Sequence, residues 1–248
     1  PNLVPIIILK MMQYVVKYGT NSLSPFTYAC YSMLLQSNFS NNSKALKFSK
    51  LALKLLEVQT QNEFTAKTIA IITQFISPWN EPYKKSLNLL KQSIYLSYNQ
   101  GDLEYALLST FWYLMRLFNM GTPLKEIQKE IQHIFDTKPR SLKQKSNLSY
   151  TTAMYQTFLE KLISPSNQPD ILKGSQYNEI TFLENHQIAQ DNTALFNLYL
   201  FKLILAYTFE QYEQAIVYSE QANTYISAVM SSPNLVLLNW YSSLSCIA

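Results

Sequence analysis

Apolar residues recur every three or four positions along nearly the whole chain, and this period predicts helices with no strand between them. The stripe Tyr83, Leu87, Leu90, Ile94 and Tyr98 is one instance, at spacings of 4, 3, 4 and 4. Breaker residues divide the pattern. A first helix spans Leu3 to Tyr18, with Pro5 in its first turn and Gly19 stopping it. Ser24-Pro25 opens a second, with Ser24 as N-cap and Phe26, Cys30, Met33 and Leu34 inward, running to about Asn38. Ser40 to Ser43 is a turn. A third helix, Lys44 to about Val58, carries Ala45, Phe48, Ala52, Leu55 and Leu56 on its core side. Its lysines (44, 47, 50 and 54) fall on another arc, a solvated face that could also attract an acidic partner. Asn62 caps a fourth, Glu63 to Ile76, ended by Ser77-Pro78, and Glu81-Pro82 opens a fifth.

Gly101-Asp102 turns the chain into Leu103–Met120, rich in aromatic residues. Thr122 and Pro123 begin Leu124–Asp136 as N-cap and first helical residue. A break at Lys138–Ser141 precedes a long helix ending near Ile163. The one substantial loop, Ser164 to about Ser175, reads as a linker or an irregular repeat. Four more helices follow: Tyr177–Gln190, Asn192–Phe209, Tyr212–Val229 and Asn234–Ile247.

One helix–turn–helix unit is used more than once. Tyr98–Ala106, YNQGDLEYA, lines up with Tyr207–Ala215, YTFEQYEQA, keeping the Tyr, an acidic residue two before the Ala, and the Ala. After the second turn come Ala215, Ser219 and Ala222, small residues on one helix face that let two helices close on each other. Ala45, Ser86 and Ile127 stand 41 residues apart, and Ala215 two periods of 44 further on. Tetratricopeptide repeats have ~34 residues and HEAT or armadillo repeats ~40–47, so these are tetratricopeptide-like turns on longer helices. The expected fold is all-α: about twelve helices in antiparallel pairs, stacked as a right-handed superhelical array over residues 1–248. The chain begins and ends inside apolar helical sequence, as expected of a piece of a longer protein.

Composition narrows the function more than the fold. Charged residues are 15% of the chain, against ~25% in typical domains. The net charge of +4 is spread out, with local groups at Lys44–Lys54 and Lys138–Lys145, and lacks the dense basic face that nucleic acids need. The apolar runs Leu3–Leu9 and Leu195–Phe209 are shorter than the ~20 residues of a membrane span. Two cysteines, Cys30 and Cys246, make no disulfide framework and suit a reducing, cytoplasmic setting.

Reactive constellations are not evident. His133 and His186 lack the convergent ligands a metal site needs, no phosphate-binding loop or nucleophile motif is present, and no cofactor is expected. Glu184 and Asp191 read as ordinary helical carboxylates. The aromatic helix offers the candidate surface. In tetratricopeptide arrays the first helix of each repeat lines the concave groove, and Trp112, Arg116 and Asn119 fall on that side, as does Asn197 in a later helix. Arginine over an aromatic ring, with side-chain amides, suits an extended peptide or a ligand carboxylate. The plain alternative makes Phe111 and Trp112 core residues and Arg116 an edge residue.

Several stretches together resemble one family: Asn2-Leu3-Val4 through Lys17-Tyr18-Gly19 with Ser24–Ala29; Trp79-Asn80-Glu81-Pro82; Gly101–Ala106; Lys202-Leu203-Ile204-Leu205; Tyr212–Ala215; and Trp240–Leu244. In this order they are similar to the helical region of large bacterial signalling proteins. There a serine/threonine kinase and a STAND-type AAA ATPase precede it, and often a GAF domain and histidine kinase follow. The resemblance implies a non-catalytic regulatory region that receives a protein, peptide or small inducer and acts on neighbouring domains. None of the kinase or ATPase motifs is in this chain, so no catalytic residue carries over. Two other readings fit the residues: a stand-alone adaptor or bacterial effector domain, and a helical enzyme domain whose site is unrecognised.

Overall fold

The structure is a computed structural model that describes residues 3–39, 41–59, 62–136, 147–174 and 177–248. Ser40, the break at Lys138–Ser141, the lysine group at Lys138–Lys145 and the loop end at Ser175 lie outside the described residues. Twelve α-helices and no strand occur among those described. They fall into two compact units that divide inside one helix, between Arg116 and Leu117.

The first unit holds α1 (Leu3–Tyr18), α2 (Ser24–Phe39), α3 (Asn42–Val58), α4 (Thr65–Phe75), α5 (Tyr83–Asn99) and most of α6 (Leu103–Asn119). Asparagines start three of these helices. Asn21, not Ser24, caps α2: its Oδ1 accepts from the Leu23 amide and the Ser24 hydroxyl, while Ser24 Oγ accepts from the Asn21 amide. This reciprocal box needs a residue three positions before Ser24, and Asn21 supplies it. Asn41 Oδ1 accepts from the Lys44 amide at 3.2 Å. Asn62 accepts from the Phe64 amide, so α4 begins at Thr65, two residues later than the spacing predicts. Asn62 Nδ2 also donates to the Ser22 carbonyl at 2.7 Å, tying the entrance of α4 to that of α2.

Alanines at closest approach bring the helices together. Ala29 and Ala52 pack with Ile71 and Ile72, and Ala45 packs with Leu35 and Ile76; all three alanines are fully buried. α2 packs against α3 and also against α4, while α3 packs against α2 and α4. Lys44, Lys47, Lys50 and Lys54 of α3 are all exposed.

The second unit holds the end of α6, then α7 (Leu124–Asp136), α8 (Asn147–Ile163), α9 (Glu179–Ile188), α10 (Asn192–Thr208), α11 (Tyr212–Thr224) and α12 (Asn234–Ile247). The expected helix over Tyr212–Val229 ends at Thr224, and Ile226–Val229 continues as a 3-10 turn. α10 is the centre of this unit and packs against α8, α9, α11 and α12. From Ala194 to Ala206 every residue but Tyr199 is buried, and all of these but Asn197 and Lys202 are apolar, which is how a helix covered on every side must read. Phe201 stacks on Phe158 of α8 at 4.7 Å between ring centroids.

The positions aligned by the repeat are equivalent in the structure. Ala45, Ser86, Ile127 and Ala215 are each the fourth residue of their helix, and each is buried. The two aligned turns also close alike. The Asp102 amide donates to the Ser97 carbonyl and the Gly101 amide to Tyr98; Gln211 donates to Ala206 and Glu210 to Tyr207. These are the two bonds of a Schellman closure, which puts the residue after the helix in the left-handed region. Gly101 sits there at φ 74° and Glu210 at φ 61°. The same bonds, from Thr122 to Leu117 and from Asp191 to His186, end α6 and α9.

The loop from Ser164 folds back on its own unit. Lys173 and Asn178 form an isolated antiparallel bridge, and the Gly174 amide donates to the Tyr177 carbonyl at 2.9 Å. A Cβ on Gly174 would come within 2.8–2.9 Å of Glu160 and Thr157 side-chain atoms, so this turn lies directly on α8.

Candidate functional site

In the first unit the expected groove residues lie on α6 at its α4 and α5 contacts. Trp112 is half-buried, its ring edge-on to Phe75 of α4 at 5.9 Å. One turn on, Arg116 is only 1% exposed. Its guanidinium donates from Nη1 to Ser86 Oγ at 2.7 Å and from Nη2 to the Thr73 carbonyl, and lies 5.5 Å from the Tyr83 ring centroid. Burial draws the guanidinium down to about 10, opposed by Tyr83 and Glu81. It therefore stays charged at neutral pH, held by a hydroxyl, a carbonyl and a ring face. Arg116 thus joins α4, α5 and α6 from inside, and is neither a groove-facing nor an edge residue. Ser93 repeats the tie one layer along: its Oγ donates to the Ala66 carbonyl and shares a 2.9 Å hydrogen bond with Ser109.

Asn119, at the end of α6, is half-buried and its Oδ1 has no hydrogen-bond partner among the described residues. Asn197 belongs to the second unit and is 2% exposed. Its Nδ2 donates to the Thr193 carbonyl and its Oδ1 accepts from Asn234 Nδ2 at 3.1 Å, joining α10 to α12. Of the four expected residues, Trp112 and Arg116 are neighbours on one helix face. Arg116 and Asn197 are each enclosed in their own unit.

A denser polar cluster, not expected from the sequence, lies where the folded-back loop meets α9, α10 and α11. Lys202 of α10 is 5% exposed. Its Nζ donates to Glu179 Oε1 at 2.5 Å and lies 4.7 Å from the Tyr218 ring centroid. Glu179 Oε2 accepts from the Leu172 amide, and the Tyr218 hydroxyl donates to Asp170 Oδ2, both at 2.7 Å. Burial, then the Asp170 carboxylate, pushes the Tyr218 hydroxyl well above its ordinary value. Beside this, Tyr177 stacks on Phe182 and on the buried His186.

His186 Nδ1 stands 3.8 Å from Asp191 Oδ2, and Asp191 Oδ1 accepts from the Ala194 amide as the N-cap of α10. Asp191 is held below its ordinary carboxyl value, first by the adjoining His186 ring and then by that amide, against burial. The sequence signal for the cluster was a lysine inside the apolar run Leu195–Phe209: a buried cation must find partners. Those partners, Glu179 and Tyr218, are 23 and 16 residues away, so spacing alone could not name them.

Lys202 is engaged with Glu179 and the Tyr218 ring, and Tyr218 with Asp170, and these contacts fix the loop to α9, α10 and α11. Burial pushes the Cys30 thiol up to about 12, leaving it protonated. Cys246 is free and exposed. Among the described residues no group of three or more His, Cys, Asp or Glu side chains is placed to hold a metal ion. Among the same residues no helix is long and apolar enough to cross a membrane. No family model, curated protein or solved structure matches this chain.

Proposed function

We propose that this chain is a non-catalytic regulatory and scaffolding region of a larger signalling protein, with kinase and STAND-type ATPase domains as its neighbours. The observation that carries the reading is the recurrence of one helix pair: the same Schellman closure and the same buried fourth position appear in both units. Stacked pairs of this kind serve as binding and relay surfaces, because each pair contacts its neighbours and small angular changes propagate. A protein, peptide or small inducer that prefers one packing of the pairs shifts the equilibrium of whatever is attached to them.

Trp112 is the accessible aromatic on this reading, with Arg116 the internal tie beneath it in the first unit; Asn197 ties α10 to α12 within the second unit. The coding sequence on either side of these 248 codons tests the proposal. It requires a P-loop ATPase in the same reading frame upstream. A frame without one removes the kinase–ATPase context and leaves a stand-alone adaptor as the better reading.

A further inference from the structure

The sequence spreads its lysines out, and the first unit gathers them on two helices. α3 carries four and α5 three, all exposed, against one carboxylate, Glu57. Both helices pack against α4, whose own lysine, Lys67, is paired with Asp102 at 2.9 Å. Lys44, Lys47, Lys50 and Lys54 of α3, and Lys84 and Lys85 of α5, have no ion-pair partner among the described residues. The repeat places the lysines alike. The residue before the buried fourth position is Lys44 in α3 and Lys85 in α5, and the fifth residue after it is Lys50 in α3 and Lys91 in α5. In the second unit carboxylates take these positions: Glu126 stands before Ile127 of α7, and Glu220 five residues after Ala215 of α11.

The lysine arrangement destabilises the free protein. Lysines three and four apart on α3 repel one another. Lys44, Lys84 and Lys85 stand in first turns that hold no acid, where the helix dipole disfavours a cation. An anionic surface laid across the two helices relieves both. The outward stripe of α3 points to the kind of surface. Opposite the buried Ala45, Ser49 and Ala52 run Lys47, Leu51, Lys54 and Val58, at spacings of 4, 3 and 4. Leu51 is 39% and Val58 80% exposed, so cation and aliphatic side chain alternate along one ridge. Neither helix has an arginine, the planar fork that recognition of nucleic acids favours; lysine is a compact point charge on a flexible stem. A nucleic acid would also set Leu51 and Val58 against a charged backbone. The surface of an anionic bilayer takes lysines at its headgroups and aliphatic groups at the acyl boundary.

We propose that the outward face of α3 and α5 docks on an anionic phospholipid bilayer, lying on its surface without spanning it. Such docking requires nothing of the domains that flank the chain.

Flotation of the full chain with lipid vesicles tests this. Vesicles of about seven parts phosphatidylcholine to three of phosphatidylserine should carry the protein at low salt, and ~0.5 M salt should release it. Vesicles of phosphatidylcholine alone should not carry it. Lys47→Gln together with Lys54→Gln should weaken binding about 25-fold, at about fivefold for each lysine. Lys125→Gln together with Lys129→Gln on α7 removes the same charge from the second unit and should leave binding within about twofold. All four positions are exposed, and unchanged helical circular dichroism would show that the variants fold. A wild-type chain that does not float with the phosphatidylserine vesicles overturns the proposal. So does an equal loss in the two double variants, or binding to a DNA duplex that is tighter than binding to these vesicles at the same salt.

Discussion

Arg116 in the first unit and Lys202 in the second are both cations withdrawn from water, and they are held in different ways. Arg116 meets a hydroxyl, a backbone carbonyl and a tyrosine face. Lys202 meets a carboxylate and a tyrosine face, and its carboxylate in turn fixes a loop. Arginine spreads its charge over a planar fork and is weakly hydrated, so neutral dipoles can suffice; an ammonium is compact and strongly hydrated, and needs a counter-charge when buried. The first unit thus ties helix to helix with an unpaired cation, whereas the second staples an irregular segment with an ion pair. Removing the cation should strand a charge in the second unit only.

The largest effect is expected from Lys202→Met. It leaves Glu179 without its cation and should cost about 3–5 kcal/mol in the unfolding transition of the second unit. Adding Glu179→Gln should recover much of that loss; a double variant no more stable than the single one would show that the two side chains are uncoupled. Arg116→Met strands no carboxylate and should cost about 1–3 kcal/mol, for the Ser86 and Thr73 acceptors it abandons. Chemical denaturation giving the same large loss at both sites would erase the distinction.

The shared seam supplies a control. Ala106 and Ala215 are both fully buried just after the aligned turns, so Ala106→Leu and Ala215→Leu should each overpack and cost about 1–3 kcal/mol. A leucine variant that melts like the wild type would mean that this helix–helix contact is looser than its burial implies.

Asp191 adds a pH arm that is particular to the second unit. Its carboxyl is depressed in the folded state, so its stabilisation is present above the ordinary carboxyl value of 3.8 and is lost as pH falls through the lower folded value. Asp191→Ala should cost about 1 kcal/mol at neutral pH as a lost cap, and the variant should lose less than the wild type on further acidification. Parallel acid-titration curves for the two proteins would refute that assignment. The smallest effect concerns the turns themselves. Glu210 occupies a left-handed position that Gly101 fills in the aligned turn, so Glu210→Gly should raise the melting free energy by about 0.5–1 kcal/mol. A loss of stability there would mean that the Glu210 side chain does more than tolerate its backbone.

Most helix ends were legible in the sequence because they are local events. Gly19, Gly101, Gly121 and the Asn62 cap act within three or four residues, and the periodic apolar stripes between them are long; the caps at Asn41 and Asp191 were not legible, because these residue types serve turns and helix surfaces as readily as caps. The aligned turn Tyr207–Ala215 was legible for the same reason, although its left-handed residue is a glutamate. Capping failed where two neighbours compete: Ser24-Pro25 has the composition of a cap, yet Asn21 holds the cap while Ser24 completes its box. The candidate surface was less legible. Helical register put Trp112 and Arg116 on one face, but whether that face meets solvent depends on α4 and α5, which reach it through Thr73 and Ser86, 43 and 30 residues away. Lys202 announced itself as a cation in an apolar run, whereas its partners are set by a loop whose path is fixed by Tyr177, Leu172 and Gly174, a matter of packing and not of pattern.

The all-round burial of α10 has a consequence for how the protein is made. α10 emerges from the ribosome after α8 and α9 but before α11 and α12, the helices that cover its remaining sides. At the usual ~5–20 residues per second, the 39 residues from Phe209 to Ile247 take about 2–8 s to follow. For that interval Leu195–Ala206 is a synthesised but half-covered apolar segment, the stretch of this chain most in need of a chaperone that binds extended hydrophobic sequence. Slow codons between α10 and α12 would lengthen that exposure, and fast ones would shorten it.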